Sequence, residues 1–228
     1  MTIRNALVIG AGSGVGRATA DALTATGART LAAGHERDAT DPAQVAALLS
    51  EADWDLVVVA AGTRPRMAPI EEQNWESFSA PWNVDVKIAF EVGRAALARP
   101  LRANATVVIV SSGAGLGGSP LSGGYAGAKR TQMFLTDYLQ RAADARELGI
   151  RFAALVPRQL LVGTAMGEAA AAAYGAETGQ SAAAYLKAHY PLPLDPAGVA
   201  RAILAIASGQ EHRHKTLLAV TGRGLEGI

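Results

Sequence analysis

The stretch YAGAK, residues 125–129, contains two side chains that could carry out proton transfer. Tyr125 and Lys129 are four residues apart, so on a helix they lie one turn from each other on the same face. A tyrosine hydroxyl has an ordinary pKa of about 10 and is a poor acid or base at neutral pH. An ammonium group about 4 Å away stabilises the phenolate by up to roughly 4 kcal/mol at an effective dielectric near 20. The pair could therefore be an acid–base centre, although the same spacing also occurs in ordinary amphipathic turns.

A glycine-rich loop near the N-terminus has the composition of a phosphate-binding loop. Gly10, Gly14 and Gly16 follow a short apolar run and precede a helical pattern. Glycine allows a sharp turn, a close approach of the backbone to a pyrophosphate and tight packing of the helix on a sheet. The first N–H groups of the helix would then face the phosphates. The pattern favours nucleotide binding over a plain tight turn. An S-adenosylmethionine-binding domain could begin similarly, but the motifs farther along the chain argue against it.

Apolar, β-branched runs alternate with helical patterns along the whole chain. Strands are predicted at residues 6–9, 29–33, 56–60, 106–110, 151–156 and 216–220, and helices at residues 15–26, 42–52, 81–99, 124–147 and 196–208. Continuous apolar strands that alternate with helices indicate a parallel sheet covered on both faces. We therefore predict one α/β domain over residues 1–228, built on a doubly wound parallel sheet.

The bulk composition argues against several classes of protein. The chain has 228 residues, a formal net charge of +1 and no cysteine, so disulfides, thiolate metal sites and cysteine nucleophiles are excluded. The sequence contains no run of Lys or Arg, so a nucleic-acid-binding surface is not expected. The four histidines are scattered, and a metal site is not expected at them. No apolar run is long enough to cross a bilayer, and the glycine loop begins too early for a signal peptide. A cytoplasmic protein without nucleic-acid or membrane partners is expected.

Three separated motifs resemble those of the short-chain dehydrogenase/reductase family, in its compact single-domain branch. Two of them are Gly10-x-x-x-Gly14-x-Gly16 and Tyr125-x-x-x-Lys129. The third is Ser112, which ends VVIVSS thirteen residues before the tyrosine. The resemblance covers essentially the whole chain. It implies a Rossmann fold and an NAD(P)-dependent interconversion of a carbonyl and an alcohol.

The resemblance also implies a role for each of these residues. Tyr125 would exchange a proton with the reacting oxygen, and Ser112 would hydrogen-bond the same oxygen; Ser111 is the alternative, but the spacing favours Ser112. Lys129 would additionally hold the nicotinamide ribose. The family's cofactor-binding positions correspond to Gly10, Gly12, Ser13, Gly14, Val15, Gly16, His35, Arg37, Asp38, Ala60, Ala61, Gly62, Tyr125, Lys129, Pro157 and Thr164.

Two features depart from the family pattern. Asp85, in WNVDVKIAF, stands where many members have an asparagine that completes a proton relay. Its carboxylate could organise water near Lys129 and offset the lysine charge, or it could be an ordinary polar helix residue. In AAGHERDATD, residues 34–37 are too few for the crossover helix that parallel strands need. The helix between the family's second and third strands is therefore predicted to be deleted, the third strand vestigial or absent, and the adenosine pocket more open.

The same stretch bears on the choice of cofactor. The acidic residue that grips the ribose in NAD users would fall at Gly34. Gly34-His35 resembles the Gly-Arg pattern of NADP users, with Arg37 close enough in sequence to approach the 2′-phosphate, so NADP(H) is favoured over NAD(H). Glu36 could instead serve NAD(H) after a small register change, and a plain surface hairpin of charged residues is a further alternative.

Residues 163–195, rich in alanine and glycine, form either a substrate lid or one or two alanine-rich surface helices. Met166, Tyr174 and Tyr185 are the candidate contacts there for a small or medium-sized apolar carbonyl compound.

The resemblance further implies a homodimer or homotetramer that packs through helices 83–99 and 124–147. Phe90, Phe134 and Tyr138 would lie between subunits, or against the subunit's own sheet. The alternative function is a non-catalytic NAD(P)-binding sensor or scaffold that keeps the fold, which the open adenosine pocket and Asp85 favour and the retained Ser112, Tyr125 and Lys129 oppose.

Overall fold

The computed structural model describes residues 2–209 and 212–228, which contain a seven-stranded sheet. The strands are β1 (Asn5–Ile9), β2 (Arg29–Ala33), β3 (Leu56–Val59), β4 (Thr106–Val110), β5 (Arg151–Pro157), β6 (Leu217–Thr221) and β7 (Gly224–Gly227). Their order is β2-β1-β3-β4-β5-β6-β7. The first six are parallel, and β7 pairs antiparallel with β6. The predicted doubly wound α/β fold is confirmed.

Helices connect the parallel strands and cover both faces of the sheet. They are α1 (Gly14–Ala25), α2 (Pro42–Ser50), α3 (Trp75–Pro81), α4 (Lys87–Ala98), α5 (Ala114–Gly117), α6 (Gly123–Ala145), α7 (Ala165–Glu177), α8 (Ala182–His189) and α9 (Pro196–Ser208), with a 3₁₀ turn at Ile70–Glu72 and a π-helical turn at Trp82–Val86. Among the described residues, no helix is both long and apolar enough to cross a membrane.

Alternate residues of each strand point to opposite faces, which creates two cores. On β1, Leu7 and Ile9 pack with α2, α4 and α6, whereas Ala6 and Val8 pack with α1 and α9. All four side chains are buried. The continuous apolar runs in the sequence follow from this burial on both faces.

Residues 34–41 contain neither a helix nor a strand, in agreement with the predicted deletion. Within the described sheet, β2 is consequently an edge strand next to β1. After this loop α2 begins directly at Pro42, where the Asp41 carboxylate accepts a hydrogen bond from Ala43 N at 2.8 Å. An aspartate cap followed by proline at the first helical position is a strong helix start.

The sequence prediction missed the start of the helical region at α3 and the strand β7. The helical region predicted to start at residue 81 begins at Trp75, because Asn74 and Ser77 form a capping box and Pro81 is accommodated inside the helix. The short, exposed, glycine-bounded β7 lacks an apolar run and was not predicted. Residues 163–195 contain two helices, α7 and α8, which is one of the two forms expected of that segment.

Candidate active site

The loops that follow the parallel strands β1 to β5 meet at the carboxyl edge of the sheet, where open α/β sheets bind ligands. Gly10, at the end of β1, has a φ of +90°, and a Cβ there would collide with the backbone of Ala61 after β3. The methyl group of Thr164, after β5, would lie 3.8 Å from a Cβ built on Gly14. The predicted glycine loop, the predicted cofactor-binding residues 60–62 and Thr164 are therefore brought together.

The N-terminus of α1 opens into this edge. Ser13 is the cap residue in extended conformation, and its hydroxyl makes no capping bond to α1 within the described part of the chain. The first N–H groups of a helix have no intrahelical partners and carry a partial positive charge. An anionic group can therefore be received at this end of α1.

Lys129 lies in a buried polar cluster beside the same edge. Its Nζ is 3.0 Å from Asp85 Oδ2 and donates hydrogen bonds to Gln132 Oε1 at 3.1 Å and to Val110 O at 3.4 Å. Lys129, Asp85 and Gln132 are 6%, 0% and 0% exposed. An isolated charge is not stable at such burial. Lys129 and Asp85 can therefore both be charged there only because they form an ion pair.

Asp85 is held by the loop after β3 and by helix α6. Its Oδ1 accepts a hydrogen bond from Thr63 N at 2.7 Å, and its carbonyl oxygen accepts one from Gln132 Nε2 at 2.9 Å. A Cβ on Gly62 would lie only 2.8 Å from Asp85 Oδ2, so glycine is required for the close approach. Asp85 is therefore no ordinary solvent-facing helix residue.

The pKa of Lys129 is set by two opposing effects. Burial, the larger single effect, lowers the pKa of Lys129, but the neighbouring Tyr125 and the Asp85 carboxylate together outweigh it and raise this pKa above its ordinary value. The ammonium is therefore charged at neutral pH.

Tyr125 and Lys129 face each other as their spacing on α6 predicted, with Nζ 5.4 Å from the centre of the Tyr125 ring. The Tyr125 hydroxyl donates to Met166 Sδ at 3.6 Å, which places the start of α7 over the hydroxyl. A substrate oxygen that reaches the Tyr125 hydroxyl must replace this thioether contact.

The two serines after β4 are used differently. Ser111 is buried, and its hydroxyl donates to Lys129 O at 2.8 Å. Ser112 is partly exposed, and its Oγ accepts from Ala114 N at 3.2 Å, which leaves its own O–H available as a donor. Ser112, rather than Ser111, thus has the hydroxyl that can bind a ligand oxygen.

The loop after β2 has an arrangement that the sequence did not predict. Glu36 Oε1 accepts a hydrogen bond from Gly34 N at 2.8 Å, and this backbone contact is the main cause that lowers the pKa of Glu36. Arg37, the proposed phosphate contact, is instead 3.4 Å from Glu51 Oε1. The imidazole of His35 would lie 3.6 Å from a Cβ on Gly12, next to the glycine loop.

Asp38 is also occupied within its own turn. Its Oδ1 accepts hydrogen bonds from Thr40 Oγ1 at 2.7 Å and from Thr40 N at 2.9 Å. The hydroxyl contact is the largest cause that lowers the pKa of Asp38. Oδ1 is therefore committed to the turn.

An aromatic series connects α7 and α8 with the loop before α6. Tyr174 and Ser119 share a hydrogen bond of 2.5 Å between their hydroxyl oxygens. The Tyr174 ring stacks on Tyr185 at 5.8 Å, and Tyr185 stacks on His189 at 4.0 Å between ring centres. Through Met166 and Tyr174, α7 contacts both Tyr125 and the neighbouring loop.

Gln132 is the buried member of the cluster that sequence reasoning missed. It follows Lys129 by three residues on the same helix, and this spacing puts both side chains on one face. That signal was present in the sequence, but its partner Asp85 lies 47 positions away.

Three solved structures with the same fold are named as dehydrogenases or reductases. Sorbitol-6-phosphate 2-dehydrogenase from Erwinia amylovora is 23% identical, with a TM-score of 0.79 over 95% of this chain and 98% of that one. Levodione reductase is 22% identical, with a TM-score of 0.77 over 96% of each chain. Aldohexose dehydrogenase from Thermoplasma acidophilum is 21% identical, with a TM-score of 0.75 over 96% and 92% of the two chains. At these identities the likeness concerns the fold.

Sequence comparison gives the family. No curated protein matches the sequence significantly. The family model described as short chain dehydrogenase matches residues 31–175, more than half of the chain, and this range includes Asp85, Ser112, Tyr125 and Lys129. The chain therefore belongs to the short chain dehydrogenase family of oxidoreductases, as the three sequence motifs had indicated.

Proposed function

We propose that this protein is an NAD(P)-dependent oxidoreductase that interconverts a carbonyl and an alcohol, with Tyr125 as the acid–base group. The observation that carries the proposal is the buried Lys129 ammonium, paired with Asp85 and facing the Tyr125 ring. A buried cation is costly to keep even when it is paired, and titratable groups in such settings cluster at functional sites.

The described residues fit a nicotinamide dinucleotide. The glycine loop brings the backbone close to the ligand edge, and the uncapped N-terminus of α1 receives the pyrophosphate. When bound, the cofactor supplies or accepts the hydride of the reaction. The family resemblance assigns Pro157 and Thr164 to the nicotinamide, and Thr164 lies beside Gly14 at this edge of the sheet.

The proton steps follow from the side chains. In the reductive direction, Tyr125 donates its proton to the carbonyl oxygen, and Ser112 donates a hydrogen bond that fixes the same oxygen. The nearby Lys129 ammonium stabilises the phenolate that remains. Asp85 keeps that ammonium charged despite its burial. In the oxidative direction the phenolate removes the alcohol proton.

A calorimetric titration with NADH and with NADPH, followed by a screen of carbonyl compounds with the cofactor that binds, tests this function. Binding together with cofactor-dependent reduction of any carbonyl supports the proposal. Absence of binding to both cofactors contradicts it.

For the choice of cofactor, the arrangement after β2 supports NAD(H) over the NADP(H) that the sequence favoured. A side chain at Gly34 would meet Glu36 Oε2 at 2.6 Å, so this carboxylate lies where the ribose-binding acid of NAD users projects from the strand end. A carboxylate accepts hydrogen bonds from the ribose hydroxyls of NAD(H) and repels the 2′-phosphate of NADP(H). Arg37 is directed to Glu51.

Glu36→Ala should therefore lower the ratio of NADH to NADPH affinity by about tenfold, because it removes both an acceptor and a repulsive charge. Calorimetry with both cofactors measures the ratio. Arg37→Ala is the control and should leave it within about twofold. A selective loss of NADPH binding in Arg37→Ala would restore the NADP(H) assignment.

The substrate side of the site supports a small or medium-sized apolar carbonyl compound. The Tyr125 hydroxyl faces the thioether of Met166, and the stacked rings of Tyr174 and Tyr185 extend along the same segment. These groups offer polarizable apolar surface and few charges. We propose that residues 163–195 act as the substrate lid.

We also propose that the protein is a homodimer or homotetramer assembled through α4 and α6. Phe90, Phe134 and Tyr138 are 47%, 63% and 58% exposed, so they do not face the subunit's own sheet. The rings of Phe134 and Tyr138 stack with their centres 6.2 Å apart. An exposed aromatic surface on two adjacent helices is suited to a self-complementary interface.

Phe134→Asp should weaken this association on the order of a hundredfold, since a two-fold interface contains each change twice. Light scattering coupled to size-exclusion chromatography, over a range of protein concentrations, measures the mass. Ile70→Asp, at a residue 66% exposed outside α4 and α6, is the control and should keep the wild-type mass. A wild-type protein that is monomeric at all concentrations contradicts the proposal.

A further inference from the structure

Gln132 belongs to none of the three sequence motifs, yet its side-chain amide is buried inside the active-site cluster. Its side chain is 0% exposed, and both ends of the amide are bonded within the active-site cluster. Oε1 accepts from Lys129 Nζ at 3.1 Å, and Nε2 donates to the carbonyl oxygen of Asp85 at 2.9 Å. A single side chain thus connects the proposed catalytic helix α6 to the π-helical turn that carries Asp85.

The contacts of the Lys129 ammonium differ in quality. An ammonium has three N–H donors, and three protein acceptors surround this one. Asp85 Oδ2 is close at 3.0 Å and supplies the opposite charge, but the angle of this contact is poorer than that of the bond to Gln132 among the described residues. The contact to Val110 O is long at 3.4 Å. Gln132 therefore makes the shortest directed hydrogen bond to the ammonium.

The position of the Lys129 ammonium decides how strongly it stabilises the Asp85 carboxylate and how strongly the Tyr125 phenolate. Two ionisable groups face it: Asp85 from the π-helical turn and Tyr125 from α6 itself. The end of β4 contributes only neutral groups, namely Val110 O and the Ser111 hydroxyl, which donates to the Lys129 carbonyl. An ammonium displaced towards the carboxylate stabilises the phenolate less, because Coulomb attraction falls with distance.

We propose that Gln132 is a positioning residue that holds the Lys129 ammonium between Asp85 and Tyr125 and thereby sets the acid–base behaviour of the tyrosine. This role rests on the proposed function of Tyr125 and Lys129. Because the side chain of Gln132 is 0% exposed, this role is exerted through Lys129 and not by contact with a ligand.

The first test uses the cofactor-free protein. The tyrosinate absorbance of each protein is titrated with pH, and subtraction of the same titration in a Tyr125→Phe background isolates Tyr125. Gln132→Glu keeps the size of the side chain but adds a second carboxylate beside Lys129. The midpoint is expected to move to higher pH by about one unit, since the added charge offsets the ammonium.

The second test separates position from charge. Gln132→Leu removes the acceptor without adding charge, and it is expected to lower kcat by about 10- to 100-fold while cofactor affinity stays within about threefold. Thr136→Val is the matched control, since Thr136 is equally buried one turn later and its hydroxyl bonds only the Gln132 carbonyl among the described contacts. The Thr136→Val variant should change the stability of the protein without changing the midpoint of the tyrosinate titration or kcat.

The outcomes distinguish this inference from the function on which it rests. If Gln132→Glu and Gln132→Leu fold, as thermal unfolding reports, but leave the midpoint and kcat within twofold, the positioning role is wrong. If one of them fails to fold, the other decides alone, and Gln132→Met replaces both if neither folds. If the wild type reduces no carbonyl, the proposed function fails, while the titration of the cofactor-free protein still tests Gln132.

Discussion

Tyr125→Phe is expected to abolish measurable turnover, with kcat reduced by at least about 10²- to 10⁴-fold. The substitution removes the hydroxyl that exchanges a proton with substrate in the proposed function and leaves the ring beside Lys129. Cofactor affinity, measured by calorimetry, should stay within about twofold, because the glycine loop and the N-terminus of α1 are unchanged. The loss should therefore fall on kcat.

Tyr138→Phe is the matched control for this prediction. Tyr138 lies on the same helix with 58% of its surface exposed, so loss of its hydroxyl should leave kcat unchanged. A Tyr125→Phe protein with wild-type kcat would contradict the acid–base role. The non-catalytic sensor would be favoured instead by a wild-type protein that binds the cofactor but shows no turnover. In that case Tyr125→Phe should leave the ligand responses unaffected.

Asp85→Ala is expected to lower the free energy of unfolding by about 3–5 kcal/mol, since it leaves Lys129 as an uncompensated buried charge. It also removes the acceptor that Thr63 N uses at 2.7 Å. Urea denaturation at neutral pH and fixed protein concentration measures the change. Asp85→Asn, which keeps the acceptor and the shape, should lose less, and Asp85→Ala combined with Lys129→Met should recover much of the loss.

The same pair predicts a pH dependence. Because the pKa of Lys129 is raised in the folded state, its contribution to stability is fully present below the unfolded-state pKa, about 10.4, and is lost as pH rises through the folded-state pKa. The stability difference between wild type and Asp85→Ala should therefore be largest at neutral pH and should disappear as the pH rises through the folded-state pKa of Lys129. If the stability difference between the two proteins stays the same up to the highest pH measured, the ion pair does not stabilise the fold.

Much of the fold was predictable because it depends on local patterns. Runs such as LVVV and TVVIV are apolar throughout, and only a strand buried on both faces requires this. The predicted deletion after β2 followed from chain length alone, since four residues cannot form a crossover. By contrast, β7 has no apolar run, and its place in the sheet depends on pairing with β6 and on packing of Leu225 against the core, neither of which the sequence encodes locally.

Within the candidate site, the sequence by itself determined the residue types, the spacing of Tyr125 and Lys129 on one helix face, and the presence of a carboxylate at Asp85. Only the tertiary structure decided which distant groups meet. It paired Asp85 with Lys129, joined both to Gln132, turned Arg37 towards Glu51 and left Phe134 exposed. The physical reason is that helical spacing is fixed by local geometry, whereas buried charges and amides find partners through the packing of separate elements.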